Sequence, residues 1–575
     1  MAKKIKLYIF IIFIFAVNIV IDFNIGNYFY VLEKCFNKSN LLNPKVYTII
    51  CFIIALISFF IIADILLVIK YRKIENKGIK FKTEDGTHGT ASWMTKNEME
   101  SVLSFEKPGI ILGKYDNKTL KLPFESFFNK NICVFGSSGS MKTIGFVLTN
   151  LLELSLYKKS IICTDPKGEI YRKTSIYFKN LGYTVKVLNL KDMKHSDRWN
   201  PLGENETITD VQTSSDVIIS NTQRHDKGGD EFWPRAEENL LKAFEFYFLQ
   251  GISDKNNLTE VYKYVAGGDI GEISEKFGRL ESDSPARMSY NIFASGSDTI
   301  KASVITGLGT RLQMFQNEDL QRLTSETDID LCLPGKEPCI YYIITSDMDS
   351  SFDFIASLFY TFLFIKLVRY ADSRPDGKCE NEVYFFLDEF ANLGQIPDFN
   401  KKISTVRSRG IGLIPILQNK PQLDSRYPNG ISDEIVGNCD TRISMGITDV
   451  PTAEFFCDLI GVATVETTSI RKENSLEGDI GDLGQKNVST IERNLINKDE
   501  ILRLPVNKLI VNLRGNKPVL LDKVIYTDHP ACKKLKDSPI SEYNPEWAKI
   551  VPQNTAKEEI IEPDLPEPKK NFYNY

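Results

Sequence analysis

The glycine- and serine-rich stretch VFGSSGSMKT constrains the fold of this chain more than any other feature. It begins in a short apolar run typical of a buried strand and leads into an apolar-periodic helix. Small residues between a strand and a helix let successive backbone N–H groups converge on phosphate oxygens at the positive end of that helix. The stretch therefore predicts a phosphate-binding loop whose nucleotide-contacting residues are Gly136, Ser137, Ser138, Gly139, Ser140, Met141, Lys142 and Thr143.

One position departs from the usual G-x-x-x-x-G-K-[ST] pattern, because Met141 stands where a second glycine is normal. We expect Met141 to adopt helical dihedral angles in the first turn of the helix, which requires no strain and leaves nucleotide binding intact. Lys142 is expected to reach the β and γ phosphates of ATP, and the Thr143 hydroxyl to bind Mg²⁺. Taken alone, the stretch also fits a plain glycine–serine turn.

A second motif, VYFFLDEF, supplies the other half of a nucleotide site. In this pattern an apolar strand ends in an acidic pair, Asp388 to support Mg²⁺ and Glu389 to polarise the attacking water. The alternative is a strand whose acidic end only meets solvent. The loop upstream favours the nucleotide site, and Glu389 favours hydrolysis, since binding alone would not require it.

Three polar residues flank the later apolar run GIGLIPILQ. Gln418 ends the run, where its amide is placed to sense the γ-phosphate. Arg407 and Arg409 precede the run, and in a ring of subunits such an arginine is placed to stabilise charge on a neighbour's nucleotide. An ordinary solvated arginine pair is the alternative.

Apolar strands separated by helices predict an α/β fold with a mostly parallel sheet covered on both faces. Helical spacing without convincing strands then occupies residues 203–300, which we interpret as an inserted all-α domain. The nucleotide-binding domain is accordingly predicted from residues 81–202 and 301–535, and residues 536–575 as a flexible, acidic, proline-containing tail. Phe232 and Trp233 are expected in the core of the insertion rather than on a base-stacking platform.

The amino-terminal residues 1–80 contain two apolar segments, at about 5–23 and 46–69. The second is long enough to cross a bilayer core of roughly 30 Å as a helix. Basic residues on both outer flanks predict a membrane anchor of two transmembrane helices, with both chain termini in the cytoplasm. A signal peptide is the alternative for the first segment, and a buried core helix for the second.

Composition excludes several other classes of protein. The ten cysteines include no C-x-x-C pair and there are only four histidines, so a zinc site or a disulfide framework is not expected. The net charge of −5 argues against a protein that binds nucleic acid over its whole surface, although it allows a local basic channel.

The order of the motifs resembles that of the TraG/TraD-type conjugative coupling proteins, from about residue 1 to residue 530. The motifs that carry this resemblance are HGTASWMT, GSSGSMKT, DPKGEIY, WNPL, DEFWPRAEENLL, LDEFANLG, LQNKPQL and GNCDTRI. The resemblance implies a RecA-like P-loop ATPase core with an inserted all-α domain, preceded by two transmembrane helices. It also implies a homohexamer at the cell membrane that uses ATP and Mg²⁺ to deliver a relaxase–single-stranded DNA complex to a type IV secretion channel.

The same resemblance implies roles for individual residues. It gives the phosphate-loop role to Gly136, Lys142 and Thr143, the magnesium and catalytic roles to Asp388 and Glu389, the sensor role to Gln418 and the arginine-finger role to Arg407, with Arg409 behind it. Within DPKGE, Asp165, Lys167 and Glu169 are assigned to structure near the nucleotide or between subunits.

Two other functions remain open at this point. The first is a DNA translocase of the FtsK type, which would carry a DNA-reading module at its carboxyl terminus. The second is a membrane receptor of low turnover, which would recruit secreted protein substrates through the helical insertion and the tail.

Overall fold

A computed structural model describes residues 80–82, 86–222, 231–251, 256–346, 349–470 and 486–550, together with the isolated residues 34 and 53. Apart from residue 53, the two expected membrane segments, 5–23 and 46–69, lie outside the described residues. The described residues fall into two compact units, the smaller drawn from 1–88 and 464–492 and the larger from 89–463 and 493–575.

Eleven of the described strands form one large mixed sheet. The described strands are β1 Lys80–Phe81, β2 Gly109–Tyr115, β3 Lys118–Pro123, β4 Ile132–Phe135, β5 Ser160–Thr164, β6 Thr184–Asn189, β7 Cys339–Ile344, β8 Val383–Leu387, β9 Ile411–Leu417, β10 Thr441–Ser444, β11 Val462–Ile470, β12 Lys486–Asn494, β13 Lys508–Leu513 and β14 Val519–Asp522. The large sheet has the order β3-β2-β14-β13-β10-β4-β9-β8-β5-β7-β6, and β1, β11 and β12 form a separate sheet.

The large sheet is parallel from β10 to β6 and antiparallel beyond β10. Every residue of β4, β5, β7, β8 and β9 is buried. Strands covered by helices on both faces require apolar side chains on both sides, which is why these segments read as continuous apolar runs. The expected α/β fold is confirmed, with four antiparallel strands added at one edge.

Helices cover this sheet and form the insertion. Their bounds are α1 Lys96–Val102, α2 Leu148–Ser155, α3 Glu169–Asn180, α4 Ile208–Thr222, α5 Phe232–Leu249, α6 Leu258–Gly267, α7 Ile270–Gly278, α8 Pro285–Ala294, α9 Asp298–Leu312, α10 Glu318–Leu323, α11 Asp353–Ser373, α12 Phe399–Thr405, α13 Lys420–Arg426, α14 Ile431–Gly437, α15 Val450–Ile460, α16 Lys498–Leu502 and α17 Glu546–Ile550. Helices α4 to α10 follow one another between β6 and β7, so the helical stretch continues to Leu323 rather than ending near residue 300.

Helix α11 is long and apolar enough to cross a membrane by length and composition, but 78% of its most apolar window is buried inside the protein. It packs on the sheet: the ring of Phe364 stacks on that of Phe385 at 4.7 Å between centroids. The hydroxyl of Tyr360 lies 2.7 Å from that of Thr164. Helix α11 is therefore a buried core helix of the folded domain.

Part of the segment expected to be a flexible tail packs on the core. The Tyr543 hydroxyl donates a hydrogen bond to Asp197 at 2.6 Å, and the Trp547 indole N–H donates to the Ser196 carbonyl at 2.9 Å. Two aromatic side chains with satisfied polar atoms outweigh the polar composition of this stretch. Residues 536–550 therefore belong to the folded domain.

The expectation that Phe232 and Trp233 lie in the core is wrong. Phe232 is 48% exposed and Trp233 is 39% exposed, with their rings in edge contact at 5.1 Å between centroids. Both stand in the first turn of α5, whereas the buried positions of this helix begin at Glu237. The apolar residues of DEFWPRAEENLL therefore do not all lie on the buried face of α5.

The glycine at position 307 makes room for a buried ion pair in the insertion. A Cβ on Gly307 would lie 1.9 Å from a carboxylate oxygen of Glu237, which pairs with Arg311. We expect Gly307→Ala to lower the free energy of unfolding by about 2 kcal/mol, because the clash displaces a buried charge from its partner. Gly309→Ala is the matched control in the same helix: its Cβ would meet Val265 at an ordinary 3.4 Å. We expect Gly309→Ala to raise the free energy of unfolding by roughly 0.5–1 kcal/mol, because glycine in a helix interior is less stable than alanine. Equal changes in the free energy of unfolding of the two variants, measured in urea, would contradict this interpretation.

A buried carboxyl group makes the insertion sensitive to pH. Burial raises the pKa of Glu245 from 4.5 to about 8, against the opposing hydrogen bonds from Asn205 and Ser215. The folded chain therefore keeps a proton that the unfolded chain releases, and this contribution to stability is complete below pH 4.5 and is lost as the pH rises through 8. We expect Glu245→Gln to flatten the decline of melting temperature between pH 5 and 8.5, whereas the exposed Glu275→Gln should leave it unchanged. Identical pH profiles for wild type and Glu245→Gln would refute the assignment.

Candidate nucleotide-binding site

Three neighbouring parallel strands bring the predicted site residues to one edge of the sheet. The phosphate loop follows β4, the Asp388–Glu389 pair follows β8, and Gln418 follows β9, which lies between those two strands. Phe135 at the end of β4 is opposite Leu417 at the end of β9. Ligands of open α/β sheets bind outside the carboxyl ends of the strands, and these side chains all lie there.

The loop itself arches because of two glycines. A Cβ on Gly136 would lie 2.5 Å from the Ser140 hydroxyl oxygen, so only glycine fits this close approach. Gly139 has a φ of 78°, and nothing lies within 4 Å of the position its Cβ would take. Ser138 and Gly139 are exposed at the tip, whereas Ser137 is half-buried and Ser140 is buried. The result is an open, small-residue arch at the end of β4.

The Lys142 ammonium group lies over this arch. It donates hydrogen bonds to the carbonyl oxygens of Gly136 and Ser137, the second at 3.2 Å. Burial lowers the pKa of Lys142, and the nearby carboxylates of Glu389 and Asp388 act in the opposite direction. The lysine and the acidic pair therefore share one electrostatic environment.

A direct contact joins the loop to the acidic pair. The Thr143 hydroxyl donates to a carboxylate oxygen of Asp388 at 3.2 Å, although 245 positions separate the two residues. Burial raises the pKa of Asp388 to about 6, and the charge of Glu389 adds to this, while Lys142 and Thr143 oppose it. A hydroxyl and a carboxylate held together are oxygen ligands of the kind that Mg²⁺ prefers.

Glu389 and Gln418 are hydrogen-bonded to each other. The Gln418 side-chain amide donates to the Glu389 carboxylate at 2.8 Å. Glu389 has a φ of 53°, a left-handed backbone conformation that a non-glycine residue rarely adopts. The turn after β8 thus directs the glutamate, and the amide at the end of β9 fixes its carboxylate.

Met141 does not have the expected helical dihedral angles. Its φ is 67°, in the left-handed region that favours glycine. The chain turns sharply here before a π-helical turn, Thr143–Val147, and the Met141 carbonyl accepts the Gly145 N–H at 2.7 Å. A left-handed conformation costs a residue such as methionine about 1–2 kcal/mol. The substitution of the usual glycine therefore leaves the loop shape intact but strained.

Comparison with known proteins decides the family. The family model described as type IV secretory system conjugative DNA transfer matches residues 92–551. The chain belongs to this family. It is a conjugative DNA-transfer coupling protein of a type IV secretion system.

Individual relatives agree with this assignment. The coupling protein is 20% identical to a probable conjugal transfer protein TraG of Sinorhizobium fredii (strain NBRC 101917 / NGR234), over 79% of this chain and 74% of the relative. It is 21% identical to the conjugal transfer protein TraG of Rhizobium radiobacter, over 76% of this chain and 72% of the relative.

Solved structures show the same fold. The plasmid coupling protein TrwB in complex with ADP and Mg²⁺ matches with a TM-score of 0.58 and 16% identity, over 78% of this chain and 96% of that one. TrwB in complex with a non-hydrolysable ATP analogue matches with a TM-score of 0.58 and 15% identity, over the same shares of the two chains. A large mixed sheet with a helical insert is thus common to both proteins.

Arg407 and Arg409 lie at the other edge of the coupling protein's sheet. They precede β9, whose seven residues span roughly 20 Å at about 3.3 Å per residue, so neither joins the site of its own subunit. Arg409 donates twice to the Asp372 carboxylate, at 2.8 and 3.0 Å. Arg407 donates to the Phe127 carbonyl and stacks over the exposed Phe127 ring, at 5.6 Å from its centroid.

The DPKGE motif of the coupling protein borders the site. Asp165 follows β5 and accepts the Tyr171 N–H at 2.8 Å, so it fixes the start of α3, whose first residue is Glu169. Burial raises the pKa of Asp165 to about 6. Lys167 is exposed, yet its charge is near enough to lower the pKa of Lys142. The motif thus combines a structural aspartate with a lysine beside the phosphate loop.

Sequence reasoning missed Lys523, a second lysine that contacts the loop. Its ammonium group donates to the Ser140 carbonyl at 2.8 Å and to the Met445 carbonyl at 3.0 Å. No motif signals it, because Lys523 follows β14 in the antiparallel part of the sheet, 383 positions from Ser140. Only the order of the strands brings the two together.

The residues of the site fit a magnesium-bound nucleoside triphosphate. Lys142 places a buried ammonium group at the loop, and Lys523 holds the loop backbone through the Ser140 carbonyl. The buried hydroxyl of Ser140 has no hydrogen-bond partner within the described part of the chain. Thr143 and Asp388 supply oxygen atoms for a cation that takes few protein ligands and completes its shell with phosphates and water.

Proposed function

We propose that this coupling protein is an ATP hydrolase that uses the nucleotide site to drive single-stranded DNA towards the secretion channel. The observation that carries the proposal is the contact between Thr143 and Asp388, with Lys142 and Glu389 beside it. These four residues come from two segments that are distant in the sequence. The fold does not require their contact, since a strand that ended in solvent would be equally compatible with the sheet. Their convergence favours a nucleotide site over both a plain turn and an unrelated acidic pair.

Each residue of the site has a role in this proposal. The loop N–H groups and Lys142 bind the triphosphate, and Thr143 and Asp388 hold Mg²⁺. Bound MgATP supplies the phosphoanhydride bond whose hydrolysis provides the free energy. Glu389 orients the attacking water and accepts its proton, while Gln418 keeps the Glu389 carboxylate in position.

The arginine edge supports assembly as a ring of RecA-like domains, which we take to be a homohexamer. Arg407 and Arg409 lie too far from the loop of their own subunit to act there, so a catalytic arginine would have to serve a neighbour. Arg409 is held by two hydrogen bonds to Asp372, whereas the described contacts of Arg407 are with a carbonyl and an aromatic face. Arg407 is therefore our candidate for the finger.

The cellular setting of the proposal follows from the family and the amino-terminal sequence. Segments 5–23 and 46–69 anchor the protein in the cell membrane as two transmembrane helices, with both termini in the cytoplasm. The partners are a relaxase–single-stranded DNA complex and the components of a type IV secretion channel. Basic residues lining a central pore would contact the DNA backbone without regard to its sequence.

A transfer assay tests the proposal. Donor cells carrying Lys142→Ala should transfer no DNA above background, because the loop loses the charge that binds the triphosphate. Donor cells carrying the exposed Lys118→Ala, on β3, should transfer DNA at the wild-type frequency. Wild-type transfer by Lys142→Ala, at a normal amount of protein in the membrane, would overturn the proposal in favour of a receptor of low turnover.

A further inference from the structure

A buried lysine beside the phosphate loop has no acidic partner in the part of the chain that the structure describes. Lys523 is 6% exposed, and among the described residues no carboxylate forms an ion pair with it. Burial lowers its pKa to about 8, and the charge of Lys142 adds to this. Burying a charge without an ion partner costs free energy, which hydrogen bonds to backbone carbonyls offset only in part. The groups that accept hydrogen bonds from Lys523 therefore show what this cost maintains.

The two acceptors of Lys523 identify what these hydrogen bonds join. The Ser140 carbonyl belongs to the peptide bond that leads into Met141, the strained residue of the loop. The Met445 carbonyl follows β10, next to Gly446, whose own carbonyl accepts the N–H and the hydroxyl of Ser137 at 2.9 and 3.1 Å. Lys523 therefore ties the strained turn to the same segment that holds the start of the loop.

We propose that Lys523 is a positioning residue that holds the Ser140–Met141 peptide in its left-handed turn and thereby compensates for the glycine missing at position 141. Glycine adopts this conformation without strain, whereas methionine does so only where other contacts impose it. The hydrogen bond from Lys523 to the Ser140 carbonyl is such a contact. The inference rests on the proposed function, since the purpose of the turn is to present the loop to the triphosphate.

A purely structural lysine makes a different prediction. If Lys523 only stabilised the sheet, its loss would have the same effect whichever residue stood at position 141. If Lys523 holds the strained turn, its loss should raise the KM for MgATP when methionine stands at position 141. The same loss should change KM little when glycine stands there. The two residues should therefore be coupled, and coupling is what a double-mutant cycle measures.

The test uses the full-length chain as wild type, Lys523→Met, Met141→Gly and the double variant. Steady-state hydrolysis gives kcat and KM for MgATP, and urea unfolding reports stability separately. We expect Lys523→Met alone to raise KM about tenfold, as for a lost hydrogen bond from a charged donor, with a smaller change in kcat. In the Met141→Gly background, the same change should alter KM by no more than about twofold, a difference that reports coupling.

Lys523→Arg keeps the charge and the donors, and we expect it to have a KM close to that of the wild type. An equal rise in KM in both backgrounds, with normal wild-type turnover, would overturn the inference and leave the proposed function standing. Failure of the wild type itself to bind or hydrolyse MgATP would overturn both. If Lys523→Met folds only in the Met141→Gly background, the coupling is supported; if it folds in neither, Lys523 is a structural residue and the inference is wrong.

Discussion

Glu389→Gln is expected to lower kcat for ATP hydrolysis by about 10²–10⁴-fold, the range of a lost general base. Glutamine keeps the shape of the side chain but cannot accept the proton of the attacking water. Lys142, Thr143 and Asp388 remain in place, so the affinity for MgATP should stay near that of the wild type. Single-turnover hydrolysis and equilibrium binding of a fluorescent ATP analogue measure the two quantities separately.

Glu382→Gln provides the matched control, because Glu382 stands immediately before β8 and Glu389 follows the strand closely. Glu382 pairs with Lys159 at the far edge of the sheet, and an ion pair at a partly exposed position contributes little. Hydrolysis by this variant should be unchanged. Wild-type hydrolysis by Glu389→Gln would remove Glu389 from the catalytic role.

Arg407→Ala is expected to lower kcat by about 10³-fold or more, the effect of an arginine finger on developing phosphate charge. The affinity of each subunit for MgATP should change little, because Arg407 lies at the edge of the sheet opposite its own loop. Arg409→Ala should reduce kcat much less and instead lower the stability, since its main contact is Asp372. Hydrolysis rates and urea unfolding of the two purified variants distinguish these outcomes.

Mixing subunits shows whether Arg407 acts on a neighbour. Rings assembled from Arg407→Ala subunits alone, or from Lys142→Ala subunits alone, should be inactive. Mixed rings should regain part of the activity, because some interfaces then join an intact loop to an intact arginine. No recovery at any mixing ratio would place the role of Arg407 within its own subunit and contradict the proposed arrangement.

The main features of the candidate site were predictable from local patterns. Apolar runs before Gly136 and Asp388 indicate buried strands, and parallel strands place their carboxyl ends at one edge of a sheet. That rule places Thr143 and Asp388 at the same edge, and the observed strand order β4-β9-β8 brings the two side chains into contact. The same rule places Gln418 near Glu389. The sequence pattern predicted an amide that senses the γ-phosphate, but it did not reveal the hydrogen bond from this amide to the Glu389 carboxylate.

The remaining features depend on contacts that no local pattern encodes. The left-handed backbone of Met141 is set by the turn around it, not by the preference of methionine. Lys523 reaches the loop only because β14 joins the sheet through β13. Phe232 is apolar but exposed, and Trp547 lies in a polar segment but packs on the core, so composition alone misplaced both.

The most direct measurement is the rate of MgATP hydrolysis by the purified full-length chain, with and without single-stranded DNA of several sequences. We predict hydrolysis that single-stranded DNA stimulates to a similar degree whatever its sequence, and that Lys142→Ala abolishes. A wild-type rate no higher than that of Lys142→Ala, in the presence and absence of DNA, would contradict the central claim that this loop and its acidic pair form a working ATPase.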